Sequence, residues 1–292
     1  MSTFSYQPII VIGAPRSGTN MLRDALVSFP GVSTWPCDEL PFVWRFNNAA
    51  FPHDEFPSSF ATEKVCAYIN RTFDQCARRT GARFVVEKTC ANSLRTEFVA
   101  RALSRARFVF IVRHGLDAAA SAMKRWVAPV DLQYLAHKVR YVPVCDAPRY
   151  LLNFVANRVK QRCSREHRMA TWGPRFNGMA LMAETATLAQ ICAHQWQRCV
   201  ERSLAGLKLL PPERIIRLRY ESLVNNGPDE LGRVVEWAGI SANRELLDHV
   251  SSSFRRSSVG RARGELSATE REAMLEIIGP TLEQLGYQKG FA

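Results

Sequence analysis

Spacings that would mark a metal or redox centre are missing. Eight cysteines are present (Cys37, Cys66, Cys76, Cys90, Cys145, Cys163, Cys192 and Cys199), yet none forms a CxxC pair and no Cys/His grouping has zinc-ligand spacing. That excludes a zinc module and a dithiol oxidoreductase, and reduced, mostly buried thiols are expected. No stretch approaches the ~18 consecutive apolar residues of a membrane span. The opening Met1-Ser-Thr-Phe-Ser-Tyr6 lacks the charged and apolar regions of a secretory signal, so a soluble intracellular protein is expected. Internal repeats and low-complexity tracts are also absent. Acidic residues are in deficit: 27 Asp and Glu against 39 Lys and Arg give a net charge of +12, which favours a polyanionic partner.

What is there suits one globular domain. With 47% hydrophobic and 23% charged residues over 292 positions, disorder is excluded and a core can form without disulfide or metal. Pro8-Ile-Ile-Val-Ile12 reads as a strand buried on both faces, and Met21, Leu22, Ala25, Leu26 and Phe29 follow at helical spacing until Pro30-Gly31. Further helices are expected over 59–79, 92–105, 184–204, 229–238 and 269–285, and further strands over 83–86, 107–112 and 214–218. After 107–112, the residues Leu116, Ala119, Ala120, Met123 and Val127 mark the core face of another helix. Alternation of strand and helix predicts an α/β fold with a parallel sheet. Residues 128–183, broken by Pro129, Pro143, Pro148 and Trp172-Gly-Pro174, read as a largely helical insertion. Lys124 to Arg175 holds eleven basic and three acidic residues, either an anion-binding surface or a solvated basic face.

Gly13-Ala-Pro-Arg-Ser-Gly-Thr-Asn20 lies between the first strand and first helix, where backbone N–H groups and the helix dipole bind anions. A nucleoside-triphosphatase loop would carry Lys after its second glycine. Here Thr19 follows Gly18, and the cation has moved inside the loop to Arg16. One cation and a few N–H donors suit a single 5′-phosphate without a metal clamp; a structural glycine turn is the competing reading. A second constellation begins where a strand ends at Arg113 and continues with Asp117, Ser121 and Arg125 at steps of four on one helix face. Arg113 and Ser121 suit a second phosphate, against the alternative of a surface ladder of Asp117, Ser121 and Arg125. Together the two constellations specify a nucleotide with 5′ and 3′ phosphates.

In these two motifs the sequence resembles the sulfotransferases that use 3′-phosphoadenosine 5′-phosphosulfate (PAPS). Arg16-Ser-Gly-Thr-Asn20 is similar to the family's basic-Ser-Gly-Thr loop, and Ile111-Val-Arg113 with Ser121 to its Arg and Ser spaced eight apart. Arg125 is similar to a basic position of the tyrosylprotein branch. Val86-Glu-Lys-Thr89, Arg219-Tyr-Glu-Ser-Leu223 and Ser258-Val-Gly-Arg261 ahead of Leu266-Ser267 extend the likeness over most of the chain. Arg16 stands where many members have Lys, and His114-Gly115 replaces the common Asn-Pro.

The resemblance implies a P-loop-like three-layer fold over residues 1–292, with the 128–183 insertion on the acceptor side. It implies PAPS as cosubstrate with no metal, held by Arg16, Ser17, Gly18, Thr19, Asn20, Arg113, Ser121, Arg125, Tyr220 and Arg261. Sulfuryl transfer then needs cations at the leaving oxygen, for which Arg16 and Lys88 are expected, and a base. The competing reading of Lys88 is an ion pair with Glu87. Trp35-Pro-Cys-Asp-Glu-Leu40 follows the first helix as do the family's base segments. Glu39 is the expected base, with Asp38 next; Asp38 is also read as a cap of a helix through Phe42 and Arg45. His53 and His137 are the alternatives to a carboxylate, and His114 is badly placed beside Arg113. The expected acceptor is a hydroxyl or amine of an anionic glycan, an anionic glycolipid or an acidic peptide around a tyrosine. Golgi relatives carry an N-terminal anchor, so a cytoplasmic enzyme is expected, free or peripheral at a membrane surface. A phosphate-loop kinase and a basic nucleic-acid-binding module are the remaining readings, the latter without a recognisable motif.

Overall fold

The computed structural model describes residues 5–128 and 171–288. Strands β1 (Gln7–Ile12), β2 (Val32–Ser33), β3 (Phe84–Lys88), β4 (Arg107–Val112) and β5 (Ile215–Arg219) form one sheet in the order β2-β3-β1-β4-β5, and every pair is parallel. Side chains alternate along β1 and feed both faces. Ile10 and Ile12 join one core with Phe108, Phe110 and Val112; Ile9 and Val11 join another with Val109, Ile111 and Leu218. Such strands need apolar residues at every position, which is why they read as continuous runs.

Helices cover both faces. Over the first core lie α3 (Glu63–Thr80), α4 (Thr96–Ala102), α5 (Gly115–Trp126), α7 (Leu188–Leu207) and α11 (Ala268–Gln284). Over the second lie α1 (Thr19–Val27), α8 (Tyr220–Asn225), α9 (Gly227–Ala238) and α10 (Arg244–Ser251). The short α2 (Pro41–Trp44) and α6 (Met179–Thr185) complete the set of described α-helices. This is the three-layer α/β arrangement expected. β1 lies between β3 and β4, and the chain builds β2 and β3 on one side of it before crossing to β4 and β5 on the other, so a crevice opens beyond the strands' carboxyl ends at this switch point.

Several boundaries differ from expectation. The helix expected over 92–105 is a 3₁₀ turn, Cys90–Arg95, followed by α4. Its side chains bond elsewhere instead of facing out: Ser93 Oγ donates to the Gly13 carbonyl, Asn92 to Glu87, and Arg95 pairs with Asp54. Val127 is exposed, and the neighbouring Trp126 fills the core position assigned to it. The helix expected from residue 184 starts at Leu188, because Thr187 and Gln190 form a capping box. Of the expected insertion, residues 129–170 lie outside the described residues.

Candidate active site

Four strand ends deliver the site. β1 runs into the loop 13–18, β3 ends on Lys88, β4 gives way to Arg113, and β5 to Tyr220. All the expected site residues except Ser17 line one cavity of about 890 Å³.

The loop is tightly seated. A Cβ on Gly13 would collide with the Ile111 carbonyl, and one on Gly18, at φ +88°, with the Tyr220 ring. Only glycine lets the loop approach β4 and Tyr220 this closely. Arg16 itself is left-handed at φ +67°, a conformation that a non-glycine residue holds at a cost and that is often found at functional sites. No side chain caps α1, and Gly18, Thr19, Asn20 and Met21 all line the cavity, so the positive end of the helix contributes there. Ser17 is fully buried beside it, with a hydroxyl that has no partner among the described residues.

Guanidinium groups converge on this loop. Arg16 Nε donates to Ser121 Oγ (3.0 Å), and Arg113 Nη1 donates to the Arg16 carbonyl (3.1 Å). Burial, then the charges of Arg125 and Arg113, holds the Arg16 pKa below its usual value. Arg113 is buried, lies 4.6 Å over the Tyr220 ring, and leaves its Nε without a partner among the described residues. An anion is the natural complement of such a cluster.

The alternative reading, a surface ladder of Asp117, Ser121 and Arg125, does not hold among the described residues. Asp117 is buried and accepts from the amides of Gly260 (2.8 Å) and Ala262 (2.9 Å), while Ser121 serves Arg16. Asp117 thereby pins the basic 255–264 segment over the cavity. Tyr220 Oη and Ser258 Oγ are 2.6 Å apart, and Arg113 Nη2 donates to the Ser258 carbonyl. Arg261 is held by Glu265 (2.7 Å), which also takes Lys124 (2.5 Å).

At the opposite wall Lys88 Nζ meets Glu39 Oε1 at 2.9 Å, and the Cys90 amide donates to the same oxygen (3.2 Å). Lys88 is only 4% exposed. Burial lowers its pKa, but the charges of Glu39, Cys90 and Asp38 together outweigh that and raise it above the usual value. The ion pair considered between Lys88 and Glu87 is corrected by strand geometry: successive residues of β3 point to opposite faces. Glu87 is buried on the other side, accepting from Thr89 Oγ1 (2.5 Å) and Asn92 Nδ2 (3.1 Å), and burial pushes its pKa up to about 7.

Asp38 is not a helix cap. The residue before α2 is Leu40, and no side chain caps that helix. Asp38 instead accepts from Arg23 (3.2 Å) and Asn20 (3.4 Å). His53 lies off the cavity, its Nδ1 accepting the Glu55 amide (3.3 Å) and its ring against Phe51, with burial lowering its pKa. His114 Nε2 donates to the Gln288 carbonyl (3.2 Å). His137 lies outside the described residues.

Sequence reasoning missed the wall formed by Trp172, Gly173 and Pro174. Gln195 Nε2 holds it through the carbonyls of Trp172 (2.8 Å) and Pro174 (2.9 Å). Its only sequence signal is a Gly-Pro turn. Lys124, three residues beyond Ser121, lines the cavity also and was legible as helix spacing.

A five-stranded parallel α/β protein with a glycine loop and clustered arginines at its switch point is a phosphate-group-binding fold. Residues 8–146 and 158–244 match the model of the sulfotransferase family. The chain belongs to that family. Solved structures share the fold: the sulfotransferase domain from the curacin biosynthetic pathway has a TM-score of 0.58 at 14% identity, covering 97% of this chain and 98% of that one. Sulfotransferase STF9 from Mycobacterium avium has 0.54 at 15%, covering 98% and 78%. Mouse sulfotransferase SULT7A1 complexed with PAP has 0.51 at 11%, covering 95% and 85%. No curated protein matches the chain in sequence. Among the described residues no helix is long and apolar enough to cross a membrane.

Proposed function

We propose that the chain moves the sulfuryl group of PAPS to a hydroxyl of an anionic glycan or glycolipid, with Glu39 as base. The observation that carries this is the junction of Arg16, Arg113 and Ser121, with the unpartnered Ser17 hydroxyl and Arg113 Nε beside it. Those orphan donors and the close seat of the loop fit a nucleotide with two separate phosphate groups. The PAP complexed with the mouse sulfotransferase supports the same ligand class.

In this reading residues 16–20 hold the 5′-phosphate, and Arg113, Ser121 and Arg125 the 3′-phosphate. Tyr220 and Arg261 complete the nucleotide's shell. Glu39 takes the acceptor's proton as the acceptor oxygen bonds to sulfur. The bond from sulfur to the 5′-phosphate oxygen breaks, and Arg16 with Lys88 neutralises the charge left there. Lys88 also fixes the Glu39 carboxylate in place through its bond to Oε1. The excess positive charge between residues 124 and 175 supports an acidic acceptor.

Labelled PAPS supplied with glycans, glycolipids and tyrosine-containing acidic peptides, in the presence of a chelator, tests this directly. Label is expected in a glycan or glycolipid; label confined to the peptides would move the acceptor class to acidic peptides. Transfer of the γ-phosphate of ATP in place of sulfate would overturn the reading.

A further inference from the structure

Residues 88, 89 and 90 grip residues 39 and 40 at three points. Lys88 Nζ and the Cys90 amide both meet Glu39 Oε1, and between them Thr89 Oγ1 accepts the Leu40 amide (2.9 Å). The first two contacts hold the carboxylate; the third holds the backbone that carries it. Thr89 and Leu40 are both buried, so the Leu40 amide has no solvent to turn to.

Thr89 is itself fixed. Its hydroxyl donates to Glu87 Oε1 (2.5 Å), and Asn92 Nδ2 donates to Glu87 Oε2 (3.1 Å). Asn92 Oδ1 in turn accepts from Arg95 Nε (2.9 Å), and Arg95 pairs with Asp54 (3.3 Å). Asp54 Oδ2 accepts the Arg175 amide (2.9 Å), and the Asp54 amide donates to the Arg175 carbonyl (2.6 Å). A run of buried polar side chains therefore anchors the Leu40 amide to the strap that carries Trp172 and Pro174. A buried hydrogen-bonded network of this kind favours one geometry, with Arg95 Nη2 its one atom that lacks a partner among the described residues.

We propose that Thr89 and Glu87 are positioning residues, which fix the Leu40 amide and so aim the Glu39 carboxylate at Lys88 and the acceptor oxygen. The proposal rests on Glu39 being the base. Glu87 suits the task because both of its oxygens face donors. A glutamine there would either turn its NH₂ toward the Asn92 amide and lose that bond, or toward the Thr89 hydroxyl and leave that hydroxyl's proton without its acceptor. Thr89→Val keeps the side chain's shape but leaves the Leu40 amide with no acceptor. A displacement of about 1 Å at a reacting group can cost about 100-fold in rate.

Thr89→Val is expected to lower sulfate release from labelled PAPS roughly 10- to 100-fold, with the dissociation constant for adenosine 3′,5′-bisphosphate within about twofold of wild type. Thr89→Ser should restore most of the rate. In the ligand-free protein the Leu40 amide should resist hydrogen exchange in wild type and Thr89→Ser, and exchange quickly in Thr89→Val. If Thr89→Val does not fold, Glu87→Gln takes its place with the same expected pattern. Wild-type turnover in the substituted protein, nucleotide affinity falling in step with rate, or failure of Thr89→Ser to rescue would overturn the proposal. Full turnover by Glu39→Gln overturns the base assignment instead, and leaves the exchange behaviour of Leu40 as it is.

Discussion

Glu39→Gln is expected to lower sulfuryl transfer by roughly 10²–10⁴ while adenosine 3′,5′-bisphosphate still binds, because the amide keeps the side chain's size and removes the proton acceptor. The ion pair adds a second consequence. Lys88 is only 4% exposed and would lose its counter-ion, and breaking a buried pair from one side costs about 3–5 kcal/mol. Glu39 borders the cavity and is 24% exposed in its side chain, so the lower end of that range is expected, read as a lowered melting temperature. Lys88→Met should slow transfer too, and the double substitution should cost less than the two single losses combined, since both residues act as one unit. Asp38→Asn should leave transfer near wild type and weaken the tie to Arg23. The reverse pattern in steady-state transfer assays would move the base by one residue. If Glu39→Gln and Asp38→Asn both turn over normally, the 35–40 segment is not the base site.

Arg16→Ala should cut transfer by about 100-fold or more, the usual loss when one preorganised donor at the developing charge is removed. Its effect on folding should be small. Arg16 gives up one bond to Ser121, but it is also a cation crowded by Arg113 and Arg125, so its removal relieves repulsion in the ligand-free protein. Stability and turnover should therefore separate, with a nearly unchanged melting temperature beside a collapsed rate. Arg16→Lys keeps the charge and loses the Nε–H aimed at Ser121, so an intermediate rate is expected. Transfer at the wild-type rate by Arg16→Ala would show that the loop cation takes no part in the chemistry.

The parts of this fold that were legible in the sequence are those whose physics is local. β1 and β4 are continuous apolar runs because they are buried on both faces, and the helix ends at Gly81 and Gly239 are marked by left-handed glycines. β2 has two residues and borrows its geometry from β3, so no periodicity could reveal it. The 92–105 region looked helical because its apolar spacing is helical. Its polar side chains have partners as distant in sequence as Gly13 and Asp54, and these partners decide its conformation.

The site divides in the same way. Arg16, Gly18, Thr19, Asn20, Arg113 and Ser121 lie within motifs, and the sheet brings them to one cavity. The pairing of Glu39 with Lys88 spans 49 positions, and nothing near either residue announces it. Asp117 looked like one rung of an exposed face; only the return of the chain at residues 260–262 buries it and gives it its two amide partners. Asp38 had the position of a cap, but Arg23, one helix away, offers it a guanidinium.

Titration calorimetry with adenosine 3′,5′-bisphosphate against AMP, on wild type and Arg113→Ala, addresses the central claim that the cavity reads a 3′-phosphate through Arg113 and Ser121. A hydrogen bond to a charged group is worth roughly 1.5–3 kcal/mol, so the bisphosphate should bind wild type at least about tenfold more tightly than AMP. Arg113→Ala should remove most of that preference while AMP binding changes little. Equal affinity of wild type for the two nucleotides, or a preference that survives in Arg113→Ala, would contradict the account.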